Sequence, residues 1–181
     1  VTRDMRGVGK TINFAVIYGQ SDFALSKALD VDRAQAAAYI AGFFRRYEGV
    51  RTYFDKLVAD AKESGFVTTM FGRRRNLADL ASRNAHLRQA AQRIAQNTPI
   101  QGSAADIMKR AMLRVDEALR KHFPGARMLL SVHDELLLEA PATQVDEVQA
   151  MLKQEMEGAV SLDVPLEVSA GNGNTWAEAH A

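Results

Sequence analysis

Apolar residues recur at three- and four-residue intervals through most of this chain, the spacing that returns a helix to the same face. Tyr39, Ile40, Phe43, Phe44 and Tyr47 keep that period and predict a helix from Arg33 to Tyr47 with these rings as its core side. Asp32, three residues before Gln35, has the spacing of its N-cap. Upstream, SDFALSKALDV predicts a short helix that buries Phe23, Leu25 and Leu29. Beyond Gly49 a further helix is expected from about Val50 to Ser64, with Tyr53, Leu57, Val58 and Ala61 inward and Gly65 at its C-terminal cap. The runs FVTTMF and RNLADL then alternate like strands around Gly72-Arg73-Arg74 and predict a hairpin with its arginines at the loop.

In the second half, a helix from Ser82 to about Asn97 carries Arg83, Arg88, Gln92 and Arg93 among alanines. Pro99 should stop it, because proline has no amide to donate and disfavours helical geometry in the residue before it. Thr98 as N-cap, Pro99 first and Gln101 third form a capping-box arrangement that leads into a helix from Ala104 to Lys121. The stretch RMLLSVHDELLLEAP interrupts two apolar runs with His133-Asp134-Glu135. Charges there must lie at a turn, since an unpaired buried carboxylate is too costly, so Asp134 is expected near the tip of a second hairpin. Thr143 and Asp146 can cap a helix from about Gln144 to Gly158. A last strand, VPLEVSAG, should join that hairpin, and GNGNTWAEAH reads as turns. The fold class is α+β: helices followed by a small antiparallel sheet packed on helices.

Composition narrows the function classes. With 181 residues, 47% of them hydrophobic, the chain can bury one sizeable core or two smaller ones. The formal net charge is +1, so any nucleic-acid surface must be local; Arg73–Arg75 and the acid-free stretch holding Arg83, His86, Arg88 and Arg93 are the local candidates. There is no cysteine, which removes disulfide scaffolds and thiolate metal sites. No apolar run reaches the roughly 18 residues that span a bilayer, so a cytoplasmic location without membrane partners is expected. A first residue other than methionine suggests a piece of a longer protein.

The stretch RGVGKTINFAVIYG, residues 6–19, carries the chemistry. Arg6, Lys10, Phe14 and Tyr18 recur every fourth residue and lie along one helical stripe, two cations and then two rings. Lys10 and Phe14 are separated by about 6 Å of helix rise, the scale of a phosphate-to-sugar distance. The same spacing also fits an amphipathic helix that buries Ile12, Phe14, Val16 and Tyr18 and solvates its cations.

The pattern Arg6-(x)3-Lys10-(x)2-Asn13-Phe14-(x)3-Tyr18-Gly19 resembles the fingers-helix motif of family A, DNA polymerase I-like, DNA polymerases. RIAQNTPIQGSAADIMKRAM and VHDEL resemble two further stretches of that family, in the expected order. The resemblance covers essentially all 181 residues and implies a fingers portion over 1–85 and a C-terminal palm portion over 86–181. It implies that Arg6 and Lys10 bind the triphosphate of an incoming deoxynucleotide, that Phe14 lies against its sugar, and that Tyr18 stacks near the templating position. Arg93, Asn97 and Gln101 would face the primer-template, Gln101 addressing minor-groove acceptors that every base pair presents; for Gln101 this stands beside its capping role. Arg73 and Arg74 would meet phosphates or simply be solvated.

Asp134 would be a metal ligand, Glu135 an outer helper, and His133 a group that orients the primer end. Mg²⁺ takes hard oxygen ligands, commonly one or two carboxylates plus substrate phosphate, and two such ions serve in-line phosphoryl displacement. The stripe and the hairpin tip are thus expected to serve one nucleotide. The family's other catalytic aspartate, thumb and exonuclease segments have no counterpart here, so the rest of a polymerase chain upstream is an expected partner and the fragment alone should be inactive. The sequence also departs from the family pattern: Gly7 stands where a second arginine is common, Gly9 where alanine is, Ala15 where glycine is usual, and Asn76 and Ala78 where an aromatic and a proline are common. A non-catalytic nucleic-acid-binding module is the alternative, and a metal-dependent nuclease a third reading, disfavoured because no second carboxylate is convincingly placed near Asp134.

Overall fold

Thr2, Ser21 and Asp32 open the first three helices in the same way. Each side-chain oxygen accepts the backbone amide three residues on, from Met5, Ala24 and Gln35, at 3.2, 3.2 and 2.7 Å, satisfying a donor that the first helical turn leaves unpaired. The helices that follow are α1 (Arg3–Ile17), α2 (Asp22–Leu29) and α3 (Arg33–Arg46). The computed structural model describes residues 1–180, which separate into two compact units, Val1–Ser103 and Ala104 onward.

In the first unit, Ala15, Leu25 and Ala36 from α1, α2 and α3 form one core cluster, with Ile12, Leu29, Val31, Tyr39 and Ile40 packed against it. Small alanines at two of the three central positions let the helices approach closely around the fully buried Leu25. Burying such a leucine is worth about 1.5–3 kcal/mol. Phe23 is turned outward, contrary to the sequence expectation, because Leu25 and Leu29 already define the inner side of this two-turn helix. Tyr47 is likewise exposed: it ends α3 as the C-cap, outside the helical face.

Helix α4 (Glu48–Ser64) ends at Gly65, whose φ of +81° is the left-handed geometry a glycine cap supplies. Its inner face is set by Phe54, not by Tyr53, which is exposed. Leu57, Val58 and Ala61 pack on a second cluster with Val67, Leu77, Leu80, Ala91 and Ala95. The expected hairpin forms from β1 (Phe66–Thr68) and β2 (Arg74–Asn76), paired antiparallel. Its second strand is shorter than predicted: Ala78–Ala81 is a 3₁₀ turn. Arg74 is therefore a strand residue, its guanidinium 4.5 Å from the centre of the Phe66 ring, and does not project at the loop.

Helix α5 (Ala85–Asn97) starts on Asn84, whose side chain accepts from the His86 amide at 2.9 Å. It does not stop at Pro99. Thr98–Gly102 continues as a π-helical turn into α6 (Ser103–His122), so the capping box is not formed. Thr98 is buried in αR geometry, and its hydroxyl donates back to the Ile94 carbonyl at 2.7 Å. The wider turn accommodates the proline, whose ring would otherwise meet the carbonyl four residues back.

The second unit holds most of α6 with β3 (Arg127–Val132), β4 (Glu135–Glu139), α7 (Val145–Glu157) and α8 (Trp176–Ala179). Val115, Leu119, Ala126 and Val148 are its core, against which Met128, Leu136, Leu138, Met151, Leu152 and Met156 pack. Strands β3 and β4 pair antiparallel, with a bulge between Met128 and Leu130. Three expectations give way here. Thr143 is not a cap: it lies in a 3₁₀ turn, Ala142–Gln144, that leads into α7. VPLEVSAG forms no strand; it is held by side chains, with the Val168 amide donating to Glu157 Oε1 at 2.9 Å and Gln149 Nε2 donating to the Ala170 carbonyl at 2.8 Å. The tail closes as a short helix on a Thr175 cap.

Candidate functional site

The four-residue stripe on α1 is formed as its spacing implies. Arg6, Lys10 and Phe14 are exposed, while Ala15 and Val16 on the opposite side are buried. Phe14 and Tyr18 stack, ring centroids 5.9 Å apart and planes 17° from parallel. Lys10 Nζ lies 5.8 Å from the centre of the Phe14 ring, within cation–π range. Of the residues the amphipathic alternative would bury, Val16 is buried, Ile12 packs on the core and Tyr18 is half-buried, whereas Phe14 is 46% exposed. Asn13 donates its amide to the Gly9 carbonyl at 2.8 Å.

Gly19 ends this helix with φ +65°. A Cβ there would lie 2.9 Å from Gln96 Oε1 and 3.2 Å from Arg93 Cγ. Glycine thus brings the aromatic end of the stripe directly against α5 beside Arg93. Behind this junction is a cavity of about 230 Å³ bordered by Val16, Gly19, Ile40, Phe44, Phe54 and Gln96.

Arg93 and Asn97 lie on α5, and Gln101 follows on the π-turn, exposed and free of any capping duty. Asn97 Oδ1 is buried with no hydrogen-bond partner among the described residues. The Arg73 turn is tied to the same region: the Met70 amide donates to Ser103 Oγ at 2.9 Å.

In the second unit, His133 and Asp134 make the two-residue turn between β3 and β4, with His133 at φ +53°, the left-handed geometry such tight hairpins need. Glu135, the first residue of β4, is held by His180 Nε2 at 3.0 Å, and His180 Nδ1 lies 3.3 Å from the Trp176 carbonyl. The Glu135 hydrogen bond, the Trp176 carbonyl and the Glu135 charge, in that order, hold the His180 pKa above the usual histidine value. No group of three or more His, Asp or Glu side chains placed to hold a metal ion occurs among the described residues. Asp134 carries a carboxylate, the hard kind of oxygen donor that Mg²⁺ takes as part of a larger donor set, while the Glu135 carboxylate is engaged by His180.

The family model described as DNA polymerase family A matches residues 1–178. The chain belongs to DNA polymerase family A. This family A chain is 49% identical over 180 residues to DNA polymerase I of Pseudomonas aeruginosa and 46% identical over 179 residues to that of Geobacillus stearothermophilus, in each case covering 99% of the chain and 20% of the relative. It spans about a fifth of the length of these curated relatives. A solved structure, the POL domain of Pol1 from M. smegmatis in complex with DNA primer-template and dNTP, superposes with a TM-score of 0.94 at 41% identity, covering 100% of this chain and 32% of that one. No helix among the described residues of the family A chain is long and apolar enough to cross a membrane.

Three of these contacts, two in the first unit and one in the second, lack a sequence signal. The Gly19–Gln96 approach, the Met70–Ser103 bond and the Glu135–His180 pair join residues 77, 33 and 45 positions apart, and each is made by residue types that are common on any surface.

Proposed function

We propose that this chain is the nucleotide-binding and C-terminal catalytic portion of a DNA-directed DNA polymerase, with residues 1–85 in the fingers and 86–181 in the palm. The observation that carries the reading is the stripe of exposed cations Arg6 and Lys10 on α1 ahead of exposed Phe14, which stacks on the half-buried C-cap Tyr18. A triphosphate presents its charge at one end and its flat base at the other, and the stripe offers matching chemistry in that order.

Arg6 and Lys10 bind the triphosphate and stabilise charge developing on the leaving pyrophosphate. Phe14 packs on the deoxyribose, and Tyr18 holds the templating position. Arg93, Asn97 and Gln101 contact the primer-template, with Gln101 free to donate and accept at minor-groove edges. Arg73 approaches the phosphates; Arg74, stacked on Phe66, contributes positive potential from the strand. Asp134 would hold Mg²⁺, with Glu135 beside it and His133 orienting the primer end. Such ions, when bound in the complete enzyme, would supply charge neutralisation for phosphoryl transfer. On this reading polymerisation uses the rest of the polymerase as well, and primer extension by the isolated chain would count against it.

Asp134→Ala in the complete polymerase tests the catalytic reading. Templated incorporation should be lost while affinity for primer-template is retained. Full incorporation by the variant would leave only a nucleic-acid-binding module.

A further inference from the structure

Thr69 and Ser103 are buried polar residues, 5% and 7% exposed, far apart in sequence and joined in space. The Met70 amide donates to Ser103 Oγ at 2.9 Å. A Cβ on Gly102 would lie 2.8 Å from Thr69 Cγ2, so only glycine admits the threonine methyl at this distance. Thr69 Oγ1 in turn accepts the amides of Phe71 and Arg73 at 3.3 and 3.2 Å. The Thr69 amide donates to the Arg73 carbonyl and the Gly72 amide to the Thr69 carbonyl, both at 3.0 Å. One threonine therefore shapes the arginine turn from inside. The same threonine is seated on the π-turn that presents Gln101.

We propose that Thr69, Gly102 and Ser103 are positioning residues that latch the Arg73 turn onto the Gln101 π-turn, so that both address one primer-template duplex in fixed register. The inference rests on the DNA-contact reading of Arg73 and Gln101 above. A π-turn is a wider and less regular segment than the α-helices either side of it, and a rigid partner is what such a segment needs to hold a side chain at a groove. The latch supplies it with a part-buried hydrogen bond and a close packing of the Thr69 methyl on the Gly102 backbone. Its effect is felt through Arg73 and Gln101 together.

The test uses the complete polymerase and a fluorescent primer-template, with affinity followed by anisotropy over a range of salt. Ser103→Ala should weaken binding about 3- to 10-fold, the scale of one hydrogen bond, with the KM for dNTP unmoved. Ser103→Thr, which keeps the hydroxyl, should restore the parent affinity. Arg73→Ala should cost less in the Ser103→Ala background than in the parent, because the turn is already adrift. Gly102→Ala, which must displace Thr69, should reproduce the loss and carries the test if Ser103→Ala does not fold. Parent affinity in folded Ser103→Ala or Gly102→Ala, or losses that multiply independently with Arg73→Ala, would overturn the latch. If Arg73→Ala and Gln101→Ala themselves bind like the parent, the DNA-contact reading falls and the latch with it. If they weaken binding and the latch variants do not, the latch alone falls.

Discussion

Phe14 and Tyr18 stack with ring centroids 5.9 Å apart and planes 17° from parallel. One helical turn separates them, so the pair forms a continuous flat surface on a helix whose other side is fixed in the core by Ala15 and Val16. Under the proposed function Phe14, with no hydroxyl of its own, would leave room for the 3′-hydroxyl of an incoming nucleotide beside its ring. Phe14→Tyr supplies a competing hydroxyl. Discrimination against dideoxynucleotides by the complete polymerase should fall by about tenfold or more, the scale of a hydrogen bond near a charged group. Competitive primer extension with mixed deoxy- and dideoxynucleotides measures it, and unchanged discrimination would remove Phe14 from the sugar.

Gly7 and Gly9 lie inside α1, and a Cβ at either position meets nothing within 4 Å. Helix-interior glycine costs about 0.8–1 kcal/mol relative to alanine, and here no packing compensates. Gly9→Ala should raise the melting temperature of the isolated chain by about 2–4 °C, read by circular dichroism. In the complete enzyme a stiffer nucleotide-binding helix should change the rate of single-turnover incorporation.

The Glu135 carboxylate, by its hydrogen bond first, raises the His180 pKa. Because the folded-state pKa is raised, the stabilisation from this pair is fully present below the unfolded histidine value and is lost as pH rises through the folded one. Glu135→Gln should return the His180 pKa toward the ordinary histidine range. Ring-proton titration by NMR in the two proteins checks this, and identical titration curves would show that the carboxylate does not hold the ring.

Local signals were readable where local chemistry decides. Asp32 and Gln35 announced the α3 cap, Gly65 the end of α4, and the polar triplet His133-Asp134-Glu135 a tight hairpin, because each rests on contacts within a few residues. The α1 stripe was legible for the same reason. Where two local arrangements competed, packing chose between them. Thr98-Pro99-Ile100-Gln101 has the letters of a cap, yet burial of Thr98 and its bond to Ile94 keep the helix running as a π-turn. Tyr53 and Phe54 both fit the apolar spacing of α4, and only the neighbouring elements determine that Phe54 is buried. The alternation in VPLEVSAG fits a strand, but Glu157 and Gln149, both on α7, take its backbone groups. The latch and the Glu135–His180 pair join distant positions through ordinary residues, and no spacing rule reaches them.

The central claim is that the cation-then-aromatic face of α1 receives the incoming nucleotide. Single-turnover incorporation by the complete polymerase carrying Lys10→Ala tests it most directly. Incorporation efficiency should fall by about 100-fold or more, with primer-template affinity unchanged. Parent-level incorporation by that variant would contradict it.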